Sequence, residues 1–201
     1  MIEAIILGII QGITEFLPIS SSAHIRIFGE FMDGANDPGA RFTAITQIGT
    51  ELAVLIYFRK DIAAILRSWF EQVVQRKELV DEAKSQARIG WLIIVGTVPI
   101  VVLGYLGSDI IENNLRSLWL IATTLIVFGV ILGLADTYGK RERTLDQLSN
   151  RHGIMYGLAQ ALALMPGVSR SGATIAMGRF LGYKREAALR YSFLLALPAV
   201  F

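Results

Sequence analysis

The chain contains no cysteine. Disulfides and a thiolate nucleophile are therefore excluded, and the redox compartment is left unmarked. Charge is scarce too: Asp, Glu, Lys and Arg make up 18% of the 201 residues, against roughly a quarter in soluble domains. A formal net charge of +2 is too small to point to nucleic acid. The N-terminus, Met1-Ile2-Glu3, has no basic stretch before its apolar run and no small-residue cleavage site after it, which argues for a start inside the mature fold rather than a signal peptide. No Gly-Lys-Ser/Thr loop is present at the proline-ended segments described below, so they are not nucleotide P-loops.

What the chain does have is apolar length: 53% hydrophobic residues and a mean hydropathy of +0.52. Three runs, Phe42 to Phe58, Ile89 to Leu106 and Leu118 to Ala135, are expected to cross a bilayer as helices. The first carries Gln47 and Glu51, four apart and so on one helix face that should turn away from lipid. Glu51 is either a paired structural group beside an aqueous cavity or a member of the site. Between the first two runs, Ile62, Ile65, Leu66, Trp69 and Val73 predict an amphipathic helix on the membrane surface. That connection holds Arg59, Lys60, Arg67, Arg76, Lys77, Lys84 and Arg88, and the third, Asp136 to His152, holds Lys140, Arg141, Arg143 and Arg151. The second, Ser108 to Ser117, sets one Arg116 against Asp109 and Glu112. The positive-inside rule puts the first and third in the cytoplasm and the second outside.

Two further stretches are too short to span. Ile2 to Leu17 stops at Pro18 and Gly153 to Met165 stops at Pro166-Gly167, and hydroxyl residues follow both. Broken helices at membrane depth are tolerated where they are buried in protein or line a cavity, so both read as re-entrant helix–loop segments. An offset of 149 residues superimposes them: Gly8 on Gly157, Gln11 on Gln160, Ser20 on Ser169 and Ser22 on Ser171, then Gly29 on Gly178, Asp37 on Glu186 and Arg41 on Arg190. The expected fold is a single all-α, polytopic membrane domain built from two repeats, residues 1–149 and the beginning of a second at 150–201. Three crossings between the tips invert the second repeat, so the tips should enter from opposite faces and meet near the midplane, as in inverted-repeat transporters. Phe201 aligns with Leu52, inside the first crossing, which predicts a longer natural protein of which this chain is a C-terminally truncated part.

The first tip offers Gln11, Glu15, Ser20, Ser21, Ser22 and His24. An acid in so apolar a run is a site hypothesis by default, and His24 beside it is a candidate general acid or base. The second tip offers Ser169, Arg170, Ser171, Gly172 and Thr174. Its hydroxyls, glycines and helix-start amides suit an anion, and the planar fork of Arg170 suits phosphate oxygens. Arg170 could instead neutralise Glu15 across the repeat interface, and the two roles are compatible. Phosphoryl transfer from a lipid-linked substrate fits this kit best.

At these residues the chain resembles the undecaprenyl-diphosphate phosphatase, or bacitracin-resistance, family. The signatures are Gln11-Gly-x-x-Glu15-Phe-Leu-Pro-Ile-Ser-Ser-Ser-x-His24 and Pro166-Gly-x-Ser-Arg-Ser-Gly-x-Thr174. The resemblance implies dephosphorylation of the recycled cell-wall lipid carrier at the outer face of the bacterial inner membrane, and dependence on a divalent cation, Mg²⁺ or Ca²⁺. It implies Glu15 as the essential acid and a metal ligand, Ser21 with His24 as the catalytic pair, and Arg170 as the positive charge on the phosphate. Gln11, Ser20, Ser22, Ser169, Ser171 and Thr174 are then expected around the substrate. Serine attack and attack by a His24-activated water both remain open, as does assembly as a homodimer. A transporter or flippase is the rival, because broken helices at the midplane serve transport as readily as hydrolysis.

Overall fold

The computed structural model describes residues 2–32, 39–113, 115 and 117–200, with the backbone alone at 40, 112 and 113. Met1, Asp37, Arg116 and Phe201, and the Glu112 side chain, lie outside the described residues. Among the described residues every element is helical and no strand occurs, only an isolated bridge between Arg143 and Tyr183. The fold is all-α.

The first broken segment is α1 (Ile2–Phe16) followed by α2 (Ser21–Gly29). After α3 (Gly39–Tyr57) and α4 (Arg59–Val73) come the long α5 (Asp81–Asn113) and α6 (Leu118–Tyr138). The second broken segment is α7 (Asn150–Ala161) and α8 (Arg170–Phe180), separated by a 3₁₀ turn at Leu162–Leu164, and α9 (Arg185–Val200) closes the chain. The start of α2 and the start of α8 are 149 residues apart, and Ser20 and Ser169 occupy the corresponding positions just before them.

The helices α5 and α6 are long and apolar enough to cross a membrane, and only 28% and 17% of their apolar windows are buried within the protein. Such helices need another apolar environment for the rest of their surface. The first expected crossing does not meet the same standard of length and apolarity. Its helix α3 carries Arg41, Thr43, Thr46, Gln47, Thr50 and Glu51, and Glu51 and Thr50 are buried. The second crossing is longer than the apolar run: α5 reaches back to Asp81 and on to Asn113, so residues Ser108 to Asn113 are helix rather than loop. Asp81 and Glu82 in its first turn favour the helix N-terminus electrostatically.

The expected surface helix is α4, and one of its faces packs on α5. Ile65 is buried, Trp69 meets Trp91 edge-on at 5.4 Å, and Leu66 stays exposed. A Cβ on Gly90 would sit 3.2 Å from Ile65 Cγ2, so the glycine allows this approach. The core lies where α3, α4, α5, α7 and α9 converge, around Val54, Phe58, Leu92, Tyr156, Tyr191 and Leu195. The backbones of α5 and α7 come so close that a Cβ on Gly157 would lie 2.6 Å from the Gly96 Cα. Close approach through small residues is how helices pack where hydrophobic exclusion from water is absent. At the far end, the buried Arg179 of α8 bonds Asp136 of α6 (3.2 Å) and the Tyr183 carbonyl (2.5 Å), tying α6 to α8.

Candidate active site

Helical periodicity sets the first half of the site. Leu7, Gln11, Thr14 and Glu15 form the buried face of α1, while Ile2, Ile5, Ile9 and Ile13 are exposed. The helix stops ahead of Pro18, and Ser20 takes a left-handed backbone (φ 67) although it has a side chain. Such a residue costs on the order of 1–3 kcal/mol and persists where the surroundings fix it. Here it turns the chain so that Ser21 opens α2. The Ser21 hydroxyl donates to Glu15 Oε2 at 2.5 Å, and Gln11 Nε2 donates to the same oxygen at 2.9 Å.

The second half is set by a glycine and a cap. Gly167 has φ +94, and a Cβ there would fall 1.9 Å from Thr124 Oγ1. That hydroxyl donates to the Pro166 carbonyl at 2.9 Å, pinning the tip to α6. The Ser169 hydroxyl then caps α8 by accepting from the Gly172 amide at 3.0 Å, one of the amides a helix start leaves unpaired. Arg170 follows as the first helical residue.

The two tips meet. Arg170 Nη2 donates to Glu15 Oε1 at 2.7 Å and also to Glu51 Oε1. Gln47 Nε2 adds a bond to Glu15 Oε1 at 3.2 Å. Arg170 and Glu15 have only 13% and 9% of their side-chain surface exposed, and Glu51 has 1%. A Cβ on Gly172 would stand 3.2 Å from the Pro18 carbonyl oxygen, so the second tip's backbone closes directly on the first. Glu15, Ser20, Ser21 and Ser22 from one tip and Ser169, Arg170 and Ser171 from the other line one cavity of about 180 Å³. That is below the roughly 300 Å³ at which pockets for whole small molecules usually begin, and suits a polar head group whose apolar tail stays outside. A cavity of about 850 Å³ lies apart, between α4, α5 and α9. Among its charged lining residues Asp61 pairs with Arg190 and Asp81 with Lys84, and Arg88 donates to the Asp146 carbonyl.

Three sequence expectations meet a different geometry. His24 is not on the cavity wall: α2 carries it one turn past Ser21, and its Nδ1 bonds the Ser20 carbonyl at 2.8 Å. The partner of the Ser21 hydroxyl is Glu15 instead. Thr174 is wholly buried, with its hydroxyl shared among the Arg170 carbonyl, the Ser171 carbonyl and Ser192 Oγ (2.5 Å). It braces α8 against α9 and stands off the cavity. Gln11 stands behind Glu15 rather than on the wall. Conversely, Gln47 and Glu51 belong to the cluster. The signal for them was present: Gln47-x-x-x-Glu51 repeats the spacing of Gln11-x-x-x-Glu15.

Residues 4–201 match the family model of the bacitracin resistance protein BacA. The chain belongs to the BacA family. Among its relatives, the undecaprenyl-diphosphatase of Paenarthrobacter aurescens is 60% identical over 200 residues, which cover 100% of this chain and 71% of that protein. The undecaprenyl-diphosphatase of Micrococcus luteus is 63% identical, with the same coverage. Undecaprenyl-diphosphatase 2 of Agrobacterium fabrum is 60% identical over 199 residues, 99% of this chain and 70% of that protein. BacA membership makes this a bacterial membrane protein, consistent with the largely exposed apolar surfaces of α5 and α6.

Proposed function

We propose that this protein hydrolyses undecaprenyl diphosphate to undecaprenyl phosphate and inorganic phosphate, recycling the lipid carrier of cell-wall synthesis and conferring resistance to bacitracin. The observation that carries this reading is the Arg170–Glu15–Ser21 chain of hydrogen bonds, which joins an anion-binding fork to a hydroxyl nucleophile across the two tips. A flippase would need the cation but not a hydroxyl held at 2.5 Å by a carboxylate.

Arg170 binds the terminal phosphate and spreads its charge as the transition state forms. The Ser21 oxygen bonds to the terminal phosphorus as the bridging P–O bond breaks, and undecaprenyl phosphate leaves. Glu15 Oε2 takes the hydroxyl proton. Water then attacks the phosphoserine, breaking the P–Oγ bond, and phosphate departs while Ser21 recovers a proton. What favours this route over a His24-activated water is that the Ser21 hydroxyl faces Glu15 whereas the His24 ring faces the Ser20 carbonyl.

A divalent cation fits the donor set only in part. Among the described residues no three His, Cys, Asp or Glu side chains gather to hold one, and both oxygens of Glu15 already accept two hydrogen bonds each. Glu51 Oε2 and Gln11 Oε1, however, are buried acceptors without a donor among the described residues. Neither of these two residues lines the cavity, and Mg²⁺ is commonly held by one or two carboxylates together with substrate phosphates, so Glu15, the carboxylate on the cavity wall, and the diphosphate would hold it here. The ion would neutralise the leaving group's charge.

The topology belongs to the same reading. The chain is one multi-pass domain of two inverted repeats, with the connections after α3 and after α6 in the cytoplasm and the cavity opening toward the outer face of the inner membrane. The excess of basic residues in those connections and the common 149-residue register of α2 and α8 support it. The deciding experiment measures phosphate release from undecaprenyl diphosphate by the purified protein in detergent. Release that Arg170→Ala removes is expected, and no release from well-folded protein would refute the assignment.

A further inference from the structure

Each oxygen of Glu15 has one amide partner and one partner that the proposed reaction uses. Oε2 accepts from Gln11 Nε2 and the Ser21 hydroxyl, and Oε1 accepts from Gln47 Nε2 and Arg170 Nη2. Ser21 gives up its proton during attack. Arg170 is the group for which phosphate competes, because its Nη2 is shared between Glu15 and Glu51. The two amides are the partners that need not change. A primary amide donates hydrogen bonds without carrying charge, so phosphate draws it less strongly than it draws a guanidinium.

The two amides differ in origin. Gln11 precedes Glu15 by one turn of the same helix and stands off the cavity wall, whereas Gln47 comes from α3 and is on the wall. Its neighbours along α3 do not share the task. Thr43, one turn earlier, also lines the cavity, but its hydroxyl is spent on the Gly39 carbonyl at 3.2 Å. Glu51, one turn later, is off the wall and bonds Arg170. A general base works only while its lone pair faces the proton it takes. Once Arg170 turns from Oε1 to a phosphate, a carboxylate held at Oε2 alone is free to rotate away from Ser21. The Gln47 bond, at 3.2 Å, holds Oε1 without Arg170.

We propose that Gln47 is a positioning residue: it keeps Glu15 Oε1 in place while phosphate occupies the Arg170 fork, so that Oε2 stays on the Ser21 hydroxyl through proton transfer. This makes α3 a working wall of the site rather than only a membrane-depth support for it. The role rests on the reading of the cavity as a phosphatase site.

The test is phosphate release from undecaprenyl diphosphate by the purified protein in detergent, with the folding of each variant checked by its unfolding midpoint. Gln47→Met keeps the length of the side chain and removes the donor. It is expected to lose roughly 10–100-fold in kcat, as small misplacements of a reacting group do. Its KM should stay within about twofold of wild type, because the amide acts through the base. Gln47→Glu supplies the rescue: the introduced carboxyl donates to Glu15 when protonated and sets a like charge beside it when ionised. The ionisable groups bonded around this point are Glu15 on α1, Glu51 on α3 and Arg170 on α8, and α2 and α9 bring none to the cavity wall. Turnover of Gln47→Glu relative to wild type should therefore fall at least about tenfold as pH rises from about 5.5 to about 8.5, while Gln47→Met stays low throughout. Near-wild-type kcat in Gln47→Met, a loss carried by KM alone, or a Gln47→Glu ratio flat with pH would overturn the role. If Gln47→Met does not fold, the pH dependence of Gln47→Glu decides, and failure of both to fold makes Gln47 structural and overturns it too. Any of these results beside release by wild type rejects only the positioning role, whereas no release from folded wild type rejects the phosphatase reading itself.

Discussion

Arg170 separates charge from shape. A lysine at this position would keep the positive charge but lose the planar fork that presents two parallel N–H groups to phosphate. Arg170→Lys is therefore expected to lose roughly 100-fold in kcat/KM while the protein elutes and melts as wild type does; near-normal turnover would reduce Arg170 to a counter-ion for Glu15 and Glu51. Ser21 makes a sharper claim. If its oxygen attacks phosphorus, Ser21→Ala abolishes turnover, and a phosphoserine can be trapped from wild type by acid quench. Ser20→Ala and Ser22→Ala should only lower the rate. Persistent turnover by Ser21→Ala, with no covalent intermediate, would return the nucleophile to water. The charged members of the site were legible from the chain because Glu15 and Arg170 in apolar surroundings have to be used or paired. His24 stands apart from Ser21 for a local reason. It is close to Ser21 in sequence, but α2 begins at Ser21 and the helix turn directs the imidazole back to the Ser20 carbonyl.

Each tip is shaped by one backbone device in a helix–break–helix. In the second it is Gly167, whose positive φ and contact with Thr124 leave no room for a side chain. Gly167→Ala is expected to cost about 2–4 kcal/mol through strain and overpacking, and to abolish activity by withdrawing Ser169 and Arg170 from Glu15. The readout is a lowered unfolding midpoint in detergent together with lost phosphate release, and an unchanged midpoint would show that the tip is softer than the contact implies. Broken helices, their proline ends and their common register could be read from sequence, since proline and helical periodicity act locally. The bounds of α5 could not. Helix continues through Ser108 to Asn113, where Ser108, Asp109, Glu112 and Asn113 interrupt the apolar run, because backbone hydrogen bonding does not require an apolar side chain. Nor could the position of Glu51 be known from α3 alone, where the same face could have met any neighbour.

For the whole molecule, the absence of cysteine becomes an instrument. Single cysteines at Lys77, Ser108 and Glu142 add the only thiols to an otherwise thiol-free chain. In intact cells a membrane-impermeant maleimide is expected to label Ser108→Cys alone, and the other two only after permeabilisation. Labelling of Lys77→Cys from outside would reverse the orientation and move the cavity mouth to the cytoplasm. Chelation is the second whole-molecule measurement: removal of divalent cations should abolish phosphate release, and added Mg²⁺ or Ca²⁺ should restore it. Full activity in chelator would take the ion out of the reaction.

The sequence by itself determined the helical class, the two broken segments with their 149-residue register, and which charges could not be left idle in apolar surroundings. These follow from local rules, namely helical periodicity, proline, and the cost of an unpaired charge. Only the tertiary structure decided which partners those charges take. Glu15 receives Ser21, Gln11, Gln47 and Arg170 at once, Thr174 turns inward to Ser192, and Glu51 arrives from a third helix to share the guanidinium. A partner across 119 or 155 residues of chain is chosen by how helices pack, and packing depends on the shapes of all of them together.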